Sequence, residues 1–168
     1  MIHTLKLEEL TTIDENIEEL AELLIQVVDE GASIGFLPPM NKEDAVSYWE
    51  NLLQPNIIVF VVKIHNKIVG SVQLHVSSKQ NGTHRAEIGK LMTHPNFRRN
   101  GIGRVLMQKA EERAKLENRL LLTLDTREGD LSNKLYVSLG FIECGKIPDY
   151  ARSANGELHT TVLYYKRI

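Results

Sequence analysis

The segment Leu91-Met92-Thr93-His94-Pro95-Asn96-Phe97-Arg98-Arg99-Asn100-Gly101-Ile102-Gly103 decides how this chain folds. A strand enters it, Pro95 stops the strand ladder, and a helix leaves it. The helix is legible in Ile102, Val105, Leu106, Ala110 and Ala114, which form one apolar stripe. Arg104, Gln108, Glu111, Glu112 and Lys115 occupy the other side. The first turn of a helix has amides without internal partners, and the dipole places partial positive charge there. Such an end holds phosphate. Gly101 and Gly103 keep side chains out of the way of a pyrophosphate and tolerate positive φ. Arg98, Arg99 and Arg104 add guanidinium forks that suit phosphate oxygens. Two other phosphate loops do not fit. A P-loop needs Gly-Lys-Ser/Thr at the helix start, but Arg104 and Val105 follow Gly103. A dinucleotide fingerprint needs a third glycine where this chain has Leu106.

Downstream of the segment, Leu120 to Leu124 reads as a fully apolar, central strand. Leu131 to Leu139 reads as a short helix closed by Gly140 in a left-handed cap. Phe141 to Ile147 is a strand, Asn155-Gly156 a turn, and Leu158 to Lys166 a last strand. Upstream, Ile2 to Leu7 alternates as a strand does. Ile13, Ile17, Leu20, Leu24 and Val27 recur at helical spacing. Asp14, Glu15, Glu18 and Glu19 crowd the helix start, and Gly31 ends it. Gly35-Phe36-Leu37-Pro38-Pro39 breaks regular structure. A second helix is expected from Lys42 to about Leu53. The β-branched run Ile57 to Ile64 and the stretch Ile68 to Val76 form a hairpin through a turn at Asn66-Lys67. Arg85 to Thr93 completes the strands. The order is mixed α/β: strand, two helices, three strands, helix, strand, helix, two strands.

The chain has 168 residues, the usual size of one domain, so residues 1–168 are read as a single unit. With 20 basic and 22 acidic residues the net charge is −2, which gives no general attraction to nucleic acid or to an anionic membrane. One cysteine, Cys144, leaves no intramolecular disulfide. That, with no basic-then-apolar leader at the N-terminus, predicts a cytoplasmic protein. The run Ile57 to Val62 is too short to span a bilayer.

Arg98-x-x-Gly101-x-Gly103 after Leu91-x-Thr93-x-Pro95 resembles the acetyl-CoA-binding motif of the GNAT N-acetyltransferase superfamily. Tyr136-x-x-x-Gly140-Phe141 resembles the family's second motif. The tail, Gly145 to Tyr150 with Gly156 to His159, is similar to a subgroup that includes the tabtoxin-resistance acetyltransferase. The resemblance implies a mixed, largely antiparallel central sheet of about six to seven strands flanked by about four helices. It implies acetyl-CoA as acyl donor, with its pyrophosphate on Arg98, Arg99, Asn100, Gly101, Ile102, Gly103 and Arg104. The pantetheine arm would pair with the backbone of Leu91, Met92 and Thr93, and an amide near Met92 would serve the oxyanion. Many members carry an asparagine seven positions before the tyrosine. Here that position is Gly129, and Asn133 stands at a different spacing, so the resemblance assigns no CoA contact to Asn133.

Moving an acetyl group to an amine requires a base for the ammonium proton, amide donors for the developing oxyanion and an acid near the sulfur. Tyr136 is the candidate acid, since a phenol of pKa ~10 lies close to a thiol; the alternative is a packed core tyrosine. Glu87 and Asp125 are the candidate bases, singly or together. Glu87 begins the strand that enters the loop, and Asp125 follows an apolar strand, at the edge where ligands gather in open sheets. Their other readings are a solvated edge carboxylate and a cap. Cys144, inside a strand, is expected to be buried and inert. His84 and His94 show no metal-ligand spacing, and no metal is expected. Tyr48 and Trp49 either line an acceptor pocket or pack in the core. The expected acceptor is a small amine or amino-acid-like molecule, and the expected assembly a two-fold dimer. Two alternatives stay open: a non-catalytic acyl-CoA sensor, and a transferase for a protein N-terminus or lysine.

Overall fold

The computed structural model describes residues 4–168. Its strands are β1 (Lys6–Leu10), β2 (Ile57–Ile64), β3 (Lys67–Val76), β4 (Arg85–Thr93), β5 (Leu121–Arg127), β6 (Ile142–Arg152) and β7 (Leu158–Arg167). Its helices are α1 (Ile17–Asp29), α2 (Lys42–Glu50), α3 (Ile102–Leu116) and α4 (Ser132–Ser138). The strands form one sheet in the order β1-β2-β3-β4-β5-β7-β6. Only β4 and β5 run parallel; every other neighbouring pair is antiparallel. This is the mixed, seven-strand, four-helix α/β fold expected from the sequence.

The sheet is covered on both faces because its central strands are apolar on both. In β2, Phe60 and Val62 pack with Ile102, Leu106 and Ala110 of α3. Val59 and Val61, alternating with them, pack with Leu20, Leu24 and Trp49 of α1 and α2. Fully burying a side chain of this size contributes about 1.5–3 kcal/mol. Gly70 in β3 sets how closely α3 approaches. A Cβ built there would lie 2.5 Å from Ile102 Cγ2 and 3.1 Å from the Met92 carbonyl oxygen. Asn41 starts α2 by accepting the Asp44 amide hydrogen at 2.8 Å.

Several boundaries differ from expectation, each for a local reason. The first strand is Lys6–Leu10 rather than Ile2 to Leu7, and Ile2 and His3 lie outside the described residues. Glu8 and Glu9 interrupt the apolar alternation, so the pattern of the sequence does not extend the strand over them. In the fold Glu8 pairs with Lys6 and Lys63, and Glu9 with Arg113. The hairpin turn is His65-Asn66, both at positive φ, because Ile64 pairs with Lys67. α2 stops at Glu50, where the Asn51 side chain donates to the Ser47 carbonyl and competes with the next helical turn. β5 runs past Leu124 to Arg127 because β7 supplies a partner for each residue. β6 extends to Arg152 despite Pro148, since it is the edge strand and breaks register between Ile147 and Ala151. For the same reason Cys144 is exposed, not buried.

Candidate active site

The parallel pair β4–β5 is short. It begins at Arg85 with Leu121 and ends at Glu87 with Thr123. Both strands continue, to Thr93 and Arg127, without pairing each other further, so the sheet opens in its middle. A bulge in β4 lies at this opening. Gln73 of β3 opposes Gly89 and Ser71 opposes Met92, so β4 carries one extra residue, and Lys90 takes φ 52°. Packing shows the slip: Ala86, Ile88 and then Leu91 face α3, while Met92 faces α1.

The loop from Arg98 to Gly103 stands beyond the far end of β4. Arg99 and Gly101 both adopt left-handed backbone, φ 63° and 74°. Asn100 steadies the loop by donating to the Phe97 and Arg98 carbonyls. No side chain caps α3, and the first amide to bond back is that of Val105, to the Gly101 carbonyl. The amides of the first turn therefore remain available. Arg98 and Arg99 are exposed beside them. Arg104 is exposed too, and one arm of its guanidinium donates to Ser138 Oγ of α4 at 2.7 Å. Gly103 lets α4 pack closely, since a Cβ there would lie 3.3 Å from Leu135 Cδ2 and that side chain would have to give slightly.

The polar groups lie on the opposite sheet face. Val72, Leu74 and Val76 face α3, so Gln73 and His75 face the α1–α2 side, as do Glu87, Thr123 and Asp125. A chain of hydrogen bonds crosses this face. His75 Nε2 donates to Gln73 Oε1 at 2.9 Å, and Gln73 Nε2 donates to the Tyr48 hydroxyl at 2.7 Å. Burial and the charge of Lys90 hold His75 below its usual range, hence neutral. Glu87 stays open to solvent at the mouth of the cleft; its pKa is shifted upward, first by desolvation and then by the negative charge of Asp125. Asp125 is oriented by Thr161, whose hydroxyl donates to its Oδ2 at 3.0 Å. Lys90 lies 5.7 Å from the Phe36 ring centre, and Phe36 meets Tyr48 edge-on. Behind Phe36 and Tyr48 is a pocket of about 630 Å³, also lined by Leu37, Met40 and Ile57.

Tyr136 approaches from the other face. It is buried on α4 beside Phe141 and Tyr164, and no hydrogen bond holds its hydroxyl among the described residues. Burial, then the charges of Asp125 and Asp130, push its pKa well above the usual phenol value. Asn133 is fully engaged within the protein. Its amide donates to the Arg127 and Asp130 carbonyls and its oxygen accepts from the Tyr164 hydroxyl. His94 accepts the Asn96 amide hydrogen and serves as a turn cap. No group of three or more His, Cys, Asp or Glu among the described residues is arranged to hold a metal.

A family model described as the acetyltransferase (GNAT) family matches residues 17–141. The chain belongs to that family. A curated relative of this acetyltransferase is an uncharacterized N-acetyltransferase of Azospirillum brasilense, encoded in the hisH-hisA intergenic region. It is 29% identical over 116 residues, 67% of this chain and 69% of the relative. Among solved structures, a ribosomal-protein-alanine N-acetyltransferase from Brucella melitensis superimposes with a TM-score of 0.82 at 21% identity. The match covers 97% of this chain and 99% of that one. The Salmonella typhimurium protein yncA, solved with its cofactor acetyl-CoA, gives 0.78 at 15% identity over 96% and 93%.

Sequence reasoning about the acetyltransferase passed over Lys90, Gln73 and His75. The strand pattern assigns Lys90 to the α3 face, and only the bulge turns it toward Glu87. The motif gave Arg104 a phosphate role because it adjoins Gly103; Ser138, 34 positions away, is visible only in the fold. Of the two roles expected for Tyr48 and Trp49, core packing is seen for Trp49, and Tyr48 packs at the edge of the core. Tyr48 also lines the pocket behind Phe36.

Proposed function

We propose that this GNAT enzyme transfers the acetyl group of acetyl-CoA to a small, amino-acid-like amine by direct attack. One observation carries the reading: the sheet opens between β4 and β5, with uncapped helix amides beyond one end and Glu87 and Asp125 on its α1–α2 side. The residues present fit the donor. The free first-turn amides of α3, with Arg98 and Arg99, suit a pyrophosphate. The unpaired edge of β4 from about Leu91 to Thr93 offers backbone groups to an extended pantetheine arm.

On this reading Glu87, alone or with Asp125, takes the proton from the acceptor ammonium. Its upward shift suits it to that task near neutrality. A β4 amide near Met92 meets the charge that develops on the carbonyl oxygen. Tyr136 faces the departing sulfur. A phenol shifted upward gives its proton up less readily, so its main contribution is a hydrogen bond to the forming thiolate. The lone cysteine supports a cytoplasmic setting. The tail's likeness to the tabtoxin-resistance subgroup, the single-domain reading and a two-fold dimer belong to the same proposal.

The test is a thermal-shift screen of amines with acetyl-CoA present, followed by a thiol-release assay on the hits. Amine-dependent release of CoA is expected, and Tyr136→Phe should slow it about 10²-fold or more. Unchanged turnover in Tyr136→Phe removes Tyr136 from any part in the departure of the thiolate. If acetyl-CoA binds but no amine is acetylated, the protein is a sensor.

A further inference from the structure

Lys90 is used by none of the steps above, yet the fold goes to some length to place it. It sits at the β4 bulge with φ 52°, a conformation that costs a non-glycine residue about 1–2 kcal/mol. The bulge turns its side chain off the face that strand alternation would give it and into the cleft with Glu87 and Asp125. Gly35 leaves room for it: a Cβ there would lie 3.1 Å from Lys90 Nζ. Once there, the ammonium has no ion pair and no hydrogen bond among the described residues, and its near neighbour is the face of Phe36. Burial lowers its pKa, and Asp125 and Glu87 act in the opposite direction.

Several other cations around the sheet are committed. Arg127, on the same face, is bound to Asp130, Ser153 and the Gly31 carbonyl. Lys63, Lys67, Lys146 and Lys166 each pair with a glutamate. Glu87 and Asp125 balance this ammonium from a distance, but neither bonds to it, so its N–H donors are left for the anionic oxygen of a ligand. The cleft thus presents two carboxylates for a cation and, beside them, one cation for an anion. An α-amino acid carries both charges on one carbon.

Building on the transfer reading, we infer that the acceptor is an α-amino acid with a free carboxylate, and that Lys90 binds that carboxylate while Glu87 and Asp125 receive the amine. Lys90 is on this account a specificity residue. An amine of the same shape without the carboxylate leaves the Lys90 ammonium unmatched and binds more weakly.

The experiment measures CoA thiol release at saturating acetyl-CoA. Acceptors are the twenty standard L-amino acids, each beside its α-amide and its decarboxylated amine. For the best acceptor, kcat/KM for the acid should exceed that for the amide and the amine by about tenfold to a hundredfold, the range of a charge-assisted hydrogen bond. Lys90→Met should erase that preference by raising KM for the acid, with a far smaller effect on the amide, and Lys90→Arg should restore part of it. The acetyl-CoA thermal shift of each variant verifies that it is folded. Equal rates for acid, amide and amine in the wild type overturn the inference, and that comparison needs no variant. So does Lys90→Met slowing acid and amide alike. Either result leaves the transfer reading standing. Failure of every acceptor to give amine-dependent CoA release overturns both.

Discussion

Glu87 is where desolvation, charge and chemistry meet in one side chain. Its folded pKa is raised by desolvation and by Asp125, so the base form is lost as pH falls through a value above the ordinary carboxylate range. The acid limb of kcat/KM should therefore lie above pH ~4.3, the reference for a free glutamate. Glu87→Gln should abolish that limb and reduce the rate by about 10²- to 10⁴-fold. Stability carries the opposite sign. The folded state binds this proton more tightly than the unfolded chain, so ionised Glu87 opposes folding once pH exceeds the folded pKa. Because Glu87 is exposed and solvent screens its charge, Glu87→Gln should raise the melting temperature only slightly at pH 7 and leave it unchanged near pH 3, as scanning calorimetry can show. Tyr136 is shifted upward too, so its hydroxyl keeps its proton well above pH ~10. A pH-rate profile should show no fall from this group as far as that limit.

At the scale of elements, the approach of α3 to β3 depends on Gly70. Gly70→Ala would place its methyl against Ile102 and the Met92 carbonyl, and the backbone oxygen has little freedom to move away. We expect a loss of about 1–3 kcal/mol, read as a lower urea midpoint with unchanged slope. The same push would displace the first turn of α3, so affinity for acetyl-CoA should fall with it. The elements themselves were largely legible in the chain. The stripe from Ile102 to Ala114, the β-branched run from Ile57 and the Gly101–Gly103 loop are local patterns, and local patterns survive in sequence. What was hidden depends on partners far along the chain. The Lys90 bulge exists because β3 fixes the register on both sides of it. Arg104 bonds to Ser138, a partner that no local pattern announces, and β5 passes Leu124 because β7 lies beside it. The candidate site was read in outline from Glu87, Asp125 and Tyr136. The hydrogen-bonded row Tyr48–Gln73–His75 was not, since no spacing along the chain joins residue 48 to residue 73.

At the scale of the whole molecule, two cores hold the sheet from opposite faces, and the opening lies between them. A ligand that enters it binds only the folded state. At a hundred times its dissociation constant acetyl-CoA should add about 2.7 kcal/mol, or roughly 5–10 °C in melting temperature for a domain of this size. Replacing Arg98 and Arg99 together by alanine should shrink the shift, and the remaining shift should depend less on salt. An unchanged shift in the double variant would remove both arginines from the donor site.

The short β4–β5 pairing has a consequence for deuterium labelling. Along most strands of a sheet, both flanks shield the amide hydrogens from solvent. Past Glu87, β4 has a neighbour on one flank only, so successive amides should exchange alternately slowly and quickly, like a strand half unzipped. Filling the gap should slow the quick positions toward the slow ones and reveal, residue by residue, how far the visitor reaches.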